Sequence, residues 1–274
     1  MKNIIVLTGS ELRHTHFRMV LADDRRFRVL ASFCEGSEKS LKARTFSNEQ
    51  SSWLERQHVL AREQSEQDFF SQFVETIEDK SNPSFLKKGQ INDEEVVESI
   101  EKYEPDILAC YGTSLIKSRL LKTFEGRFVN AHLGLSPYYR GSGTNVWPII
   151  NGELGMVGAT FMYIDEGIDT GNIIHQIRAD IYLGDSPHSI GNRLIRKMTE
   201  TYADLIASFE KLEREEQPVA DGKFYYHKDF DAKACDTLYK NISGGLVESY
   251  LEESRGEKLR TPFIVRNRAL GDLK

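Results

Sequence analysis

Apolar residues along the chain fall first into short continuous runs and later into helical spacing. Residues 3–7, where Asn3 leads into an apolar run ending at Leu7, are closed by Thr8-Gly9-Ser10, the pattern of a buried strand. A helix over about residues 11–21 follows, then a second strand over 28–33. Residues 49–79 have helical character, with Phe70, Phe73, Val74 and Ile77 on one face and an acidic, Gln-rich remainder that reads as a solvated face. Asn92 followed by Glu95 has the look of an N-cap with its capping partner, opening a helix through 101. Further strands are expected at 106–110, 128–131, 156–164 and 173–177. The last two flank a short Asp/Gly-rich loop, so that pair is open to antiparallel order. Pro187 at the first helical position behind Ser186 opens a long helix to about 214. A strand over 223–226 and a helix over 231–253 complete the pattern.

Strands separated by helices imply an α/β fold with a mainly parallel sheet. The length of 274 residues fits one large domain with a short appendage, and the change of character near residue 215 divides it. The expected organisation is a Rossmann-like core over 1–215 and a short C-terminal extension over 216–274. The composition, 39% hydrophobic and 28% charged, is that of a globular chain and excludes collagen, a coiled-coil rod and extended disorder. With 36 Lys+Arg against 42 Asp+Glu, the net charge of −6 makes the whole chain a poor attractor of phosphate polymers. Cys34, Cys110 and Cys235 are odd in number and widely spaced, with no disulfide framework and no close ligand pair, so a reducing cytoplasm is the expected location. The opening apolar run is too short for a secretory signal, and no run approaches the roughly 20 residues that span a bilayer.

The densest chemistry is Asn130-Ala131-His132-Leu133-Gly134-Leu135-Ser136-Pro137, followed by Tyr139-Arg140-Gly141. Alternation along a strand sends Asn130 and His132 off the same face at a strand end, where ligands of open α/β sheets sit. An amide and an imidazole together suit acyl chemistry: one steadies a developing oxyanion, the other moves protons near neutral pH. Alone, such a short pair far more often just satisfies loop backbone. The second feature is Asp165-Glu166-Gly167-Ile168-Asp169-Thr170-Gly171. Calcium fits it poorly, because Gly167 and Gln176 stand where an EF-hand loop needs oxygen ligands. A plain hairpin turn, or a carboxylate that orients the imidazole, remain as readings.

Taken together, Tyr111-Gly112, Asn130-Ala131-His132, Tyr139-Arg140-Gly141, Trp147, Asn151-Gly152-Glu153 and Asp165 to Gly171 resemble the formyltransferases that use N10-formyltetrahydrofolate. The matching block covers about residues 106–176, and the hydrophobic pattern extends it to about 214. The resemblance implies that Asn130 holds the formyl oxygen, that His132 is the general acid/base and that Asp169 positions the histidine and a catalytic water. It implies attack of a substrate amine on the formyl carbon, an oxyanion held by Asn130 and His132, and departure of the folate nitrogen with a proton, without a metal. It also implies a folate pocket among Tyr111, Gly112, Ser114 and Leu115, the Gly134, Leu135, Ser136 and Pro137 loop, and Asp165, Glu166 and Gly167. Many members carry Ser-Leu-Leu-Pro where this chain has Gly134-Leu135-Ser136-Pro137, which bears on the loop's side-chain contacts.

Arg13, His14, His16 and Arg18 cluster after the first strand, either as a solvated or salt-bridged face or, for Arg13, as an anion contact near a helix start. Arg140 either meets a substrate phosphate or braces its turn. Trp53 and Trp147 read as core or pocket wall, and Phe224, Tyr225 and Tyr226 as strand packing or base stacking. The segment 227–274 holds 9 Lys/Arg and 8 Asp/Glu, a near-neutral tail. Transfer-RNA affinity rests on cationic phosphate contacts. A short neutral tail therefore points to a small acceptor amine, most simply that of a nucleotide-linked amino sugar for polysaccharide biosynthesis. Methionyl-tRNA, another small amine, or a non-catalytic folate- or nucleotide-binding module are the alternatives. A homodimer is left open.

Overall fold

The computed structural model describes residues 1–254 and 264–271. Seven strands form the main sheet: β1 (Lys2–Gly9), β2 (Phe27–Glu35), β3 (Pro83–Leu86), β4 (Ile107–Tyr111), β5 (Phe128–His132), β7 (Gly158–Tyr163) and β8 (Ile173–Arg178), in the order β3-β2-β1-β4-β5-β7-β8. The first five run parallel, β7 runs antiparallel to β5, and β8 runs antiparallel to β7. The expected α/β, mainly parallel architecture is therefore the observed one. A two-stranded parallel ribbon joins β6 (Tyr139–Gly141) to β9 (Lys223–Tyr225).

One face of the sheet is covered by α1 (Leu12–Asp23), α3 (Trp53–Thr76) and α7 (Pro187–Ala207). The core strands are apolar on both sides because helices bury both faces. In α7, Ile190, Leu194, Met198, Tyr202 and Leu205 are all buried, each worth roughly 1.5–3 kcal/mol in apolar transfer. The opposite face packs on α4 (Glu94–Lys102) and α5 (Ser118–Thr123). The buried Tyr202 hydroxyl donates to the Val129 carbonyl and accepts from Cys110 N at 3.0 Å, bridging β4 and β5 where their pairing ends.

Several boundaries differ from the sequence reading. The helix of α7 ends at Ala207, not 214, since Ser208 turns the chain and its N–H reaches back to Asp204 O at 3.0 Å. Residues 231–253 form two helices, α8 (Ala232–Ser243) and α9 (Leu246–Ser254), separated by Gly244-Gly245, with Gly245 at φ +88°. Asn92 is not the cap of α4; Asp93 holds that place. Instead, Asn92 Nδ2 donates to Leu115 O at 3.0 Å and its Oδ1 accepts from Lys117 N at 2.8 Å. The cap of α3 is Ser52, in a reciprocal box with Glu55. Trp53, at the first turn of that helix, is 73% exposed and is neither core nor pocket wall. Several short elements escaped the pattern, among them the edge strand β3, and α2 (Leu41–Ser47), capped by Ser40.

The C-terminal segment packs on the core as well as following it. Asn241 Nδ2 donates to the carbonyls of Ile149 and Ile150, at the end of α6 (Trp147–Ile150). The buried Asn267 side chain donates to Ile174 O at 3.0 Å, and its backbone N–H to His175 Nδ1 at 3.0 Å, along β8.

Candidate active site

The parallel strands β1, β4 and β5 end at one edge, on either side of the point where strand order reverses. A cleft of about 950 Å³ opens there, lined by Gly9 to Glu11, Tyr111 to Ile116, Asn130 to Leu133 and the loop after β7. This is where the topology of an open α/β sheet places ligands.

Asn130 and His132 leave β5 together. The Asn130 carboxamide faces the cleft and has no hydrogen-bond partner among the described residues. His132 is 7% exposed and held on two sides. Its Nε2 lies 2.9 Å from the Tyr139 carbonyl, which can only accept, so Nε2 carries a proton and donates it. Its Nδ1 lies 3.3 Å from Asp169 Oδ1. A proton arriving at Nδ1 therefore meets a carboxylate. Thr144 Oγ1 donates to Leu133 O at 2.7 Å and stands 3.4 Å from His132 Nε2. Gly134 makes the fit possible, because a Cβ there would fall 2.5 Å from His132 Nε2.

Asp169 is delivered by a tightly braced loop. Asp165 Oδ1 accepts from Gly167 N at 3.0 Å and from Thr170 Oγ1 at 2.7 Å. Gln217 Nε2, from the segment after α7, donates to the carbonyls of Asp169 (2.8 Å) and Gly171 (2.9 Å). Gly141 N donates to Asp169 Oδ2 at 2.9 Å. Asp169 itself sits at φ +56°, a left-handed backbone that costs a non-glycine residue energy and that these bonds enforce.

The loop after β4 is held by a residue that the pattern did not reveal. Glu35, fully buried at the end of β2, accepts from Ser114 N at 2.5 Å, Gly89 N at 2.7 Å, Thr113 Oγ1 at 3.2 Å and Lys88 Nζ at 3.3 Å. Burial works against its charge, but Lys88 and the two backbone N–H groups outweigh it and hold the carboxyl below its ordinary range. Leu115 and Ile168, 53% and 48% exposed, offer apolar surface at the cleft wall.

The wall made by α1 and α3 is charged. Arg13 donates to Glu66 at 2.7 Å and to Glu11, and Arg62 Nε donates to the same Glu66 oxygen at 3.3 Å. Burial opposes the charge of Arg13, but Glu66 and Glu11 hold it above the usual guanidinium range. His14, His16 and Arg18 are buried, so this stretch is not a solvated face. Burial, followed by the Arg13, Arg62 and Lys88 charges, holds His14 far below the usual imidazole range. Glu66 is likewise buried, against the expectation for its helix.

Tyr111, Gly112, Ser114, Leu115, Asn130, His132, Asp165, Gly167, Asp169 and Arg13 thus all border one cleft. The segment Gly134, Leu135, Ser136 and Pro137 does not. It is buried behind His132, with Ser136 N on Thr160 Oγ1 at 3.0 Å and Ser136 O accepting from Gln176 Nε2 at 2.7 Å. Glu166 also lies off the cleft wall, and Arg140 sits on β6 outside it. Trp147 is buried and stacks on Tyr225 at 4.1 Å between centroids. Among the described residues, no three His, Cys, Asp or Glu side chains cluster as a metal site, and no helix is long and apolar enough to cross a membrane.

A doubly covered α/β sheet with an amide, an imidazole and a carboxylate converging beyond its strand ends has the layout of a group-transfer site. The formyl transferase family model matches residues 42–206, more than half of the chain, and the chain belongs to that family. It is 30% identical over 166 residues to a methionyl-tRNA formyltransferase of Finegoldia magna, covering 56% of this chain and 52% of that one. It is 34% identical over 121 residues to a GDP-perosamine N-formyltransferase of Brucella melitensis, covering 44% and 46%. The chain thus spans about half the length of these relatives. Its fold matches a sugar N-formyltransferase structure from Shewanella sp. FDAARGOS_354, with a TM-score of 0.57 at 16% identity over 88% of each chain.

Proposed function

We propose that the protein transfers a formyl group from N10-formyltetrahydrofolate to the amine of a nucleotide-linked amino sugar. The observation that carries the chemistry is the convergence of an unpartnered Asn130 carboxamide and the Asp169-supported His132 in one cleft. The donor fits what is present. Leu115 and Ile168 give apolar contact for a flat ring, and the loop from Tyr111 to Leu115 is held rigid by Glu35 and Asn92.

Asn130 Nδ2 donates to the formyl oxygen as negative charge develops there, an interaction worth on the order of 2.7–4 kcal/mol in comparable sites. His132, its Nε2–H fixed on Tyr139 O, uses the Nδ1 edge beside Asp169 to hold and release the proton that moves from the amine to the departing folate nitrogen. Asp169 keeps the ring in place and offsets its positive charge. The amino-sugar acceptor is supported by the GDP-perosamine relative and by the net charge of −6, which disfavours a large polyanion. The methionyl-tRNA relative keeps a second acceptor in view.

The test is tetrahydrofolate release with N10-formyltetrahydrofolate and a panel of dTDP-, GDP- and UDP-linked amino sugars, beside charged initiator tRNA. Release with at least one sugar and none with tRNA is expected. Release with tRNA alone overturns the acceptor assignment.

A further inference from the structure

The α1–α3 wall of the cleft holds a cation that the transfer chemistry does not use. Arg13 spends its two terminal nitrogens on Glu66 and Glu11. Arg62 gives only Nε to Glu66, at 3.3 Å. Its two terminal nitrogens, with four N–H bonds, have no hydrogen-bond partner among the described residues, although the side chain is only 31% exposed. Those donors open onto the cleft, where an incoming ligand can take the place of water on them.

The surroundings sharpen what would meet them. Repulsion from Arg13, added to burial, holds Arg62 below the ordinary guanidinium range. The neighbouring carboxylates are already engaged: Glu66 by two arginines and Glu11 by Arg13. His14, packed close on Gly9 and Gly112, is neutral and supplies no negative charge. The Lys88 charge reaches the same Glu11 and His14. A neutral oxygen could accept from Arg62 but would not relieve two like charges. A phosphoryl group does both, since its oxygens match the planar fork of a guanidinium.

We propose that Arg62, backed by Arg13, seats a phosphoryl group of the acceptor. This assignment rests on the amino-sugar nucleotide reading and adds to it the residue that recognises the diphosphate. The sequence pattern offered no sign of Arg62, which lies among the acidic and Gln-rich residues of α3.

Calorimetric titration of inorganic pyrophosphate, and of UDP, GDP and dTDP, into the full chain tests the seat. Arg62→Gln should weaken pyrophosphate and the preferred nucleotide about tenfold or more, and Arg62→Lys should recover part of that loss. Tetrahydrofolate should bind the wild type and both variants alike, which also reports that the cleft is intact. Equal pyrophosphate affinity in Arg62→Gln overturns the proposal. So does failure of the wild type to bind pyrophosphate or any nucleoside diphosphate. A loss confined to tetrahydrofolate bearing several glutamates overturns it too, because Arg62 would then serve the donor. Nucleotide binding through Arg62 without formylation of any sugar keeps the seat and sinks the sugar reading. Sugar formylation with an unchanged acceptor KM in Arg62→Gln does the reverse.

Discussion

Replacing Glu35 by Gln removes one charge from the cleft and changes only an oxygen to an NH2 group. One Glu35 oxygen accepts from Gly89 N, and the other from Ser114 N, Thr113 and Lys88. A glutamine can satisfy one of these sides only. If its oxygen faces Ser114, its NH2 group meets the Gly89 N–H, and the converse holds. One charge-assisted bond is lost, about 1.5–3 kcal/mol, and a buried N–H is left without an acceptor. A loss of about 2–4 kcal/mol at pH 7 is expected in urea unfolding. The acid limb should change as well. Because the folded carboxyl is held below its ordinary value of 4.5, it contributes stability above that value and loses it as pH falls further. The gap between wild type and Glu35→Gln should therefore narrow below about pH 4.5. The same variant frees the Ser114 turn, so the folate KM should rise several-fold with a smaller change in kcat. A stability loss under about 0.5 kcal/mol together with an unchanged folate KM would show that Glu35 does not hold the Ser114 turn.

Asp169→Asn keeps the shape but removes the charge 3.3 Å from His132 Nδ1, and kcat should fall about 10²-fold or more while nucleotide affinity is retained; activity near wild type would remove Asp169 from the mechanism. His58 and His188 both contact the Tyr239 hydroxyl, at 3.2 and 3.3 Å, and burial lowers them to about 3 and about 4. Since both bind protons only when unfolded between about pH 6.5 and 4, stability should drop across that window. His58→Phe should make this drop about 2 kcal/mol smaller between pH 7 and 5, measured by urea unfolding; an identical drop would contradict the neutral assignment.

Much of the fold was legible because burial on both faces forces continuous apolar runs, and residues 4–7 and 107–110 carry them openly. β3 was not, since a four-residue edge strand with Phe85 68% exposed carries no such run. The candidate centre was legible because alternation puts Asn130 and His132 on one side of β5. What braces the loops around them was not. Gln217 and Glu35 act through contacts made between distant segments, and nothing local to a Glu at a strand end announces that it will hold four donors from two other loops. The family resemblance placed Gly134 to Pro137 against the folate. The chain instead dives behind the histidine, and Thr160 and Gln176 satisfy its backbone.

The role of His132 in transfer is read from single-turnover release of tetrahydrofolate by wild type and His132→Asn, with saturating formyl donor and the acceptor found in the sugar panel. If His132 moves the proton, the variant's rate falls about 10²–10⁴-fold with unchanged tetrahydrofolate affinity. A rate within a few-fold of wild type, with binding intact, would contradict the claim that Asn130, His132 and Asp169 form the transfer centre.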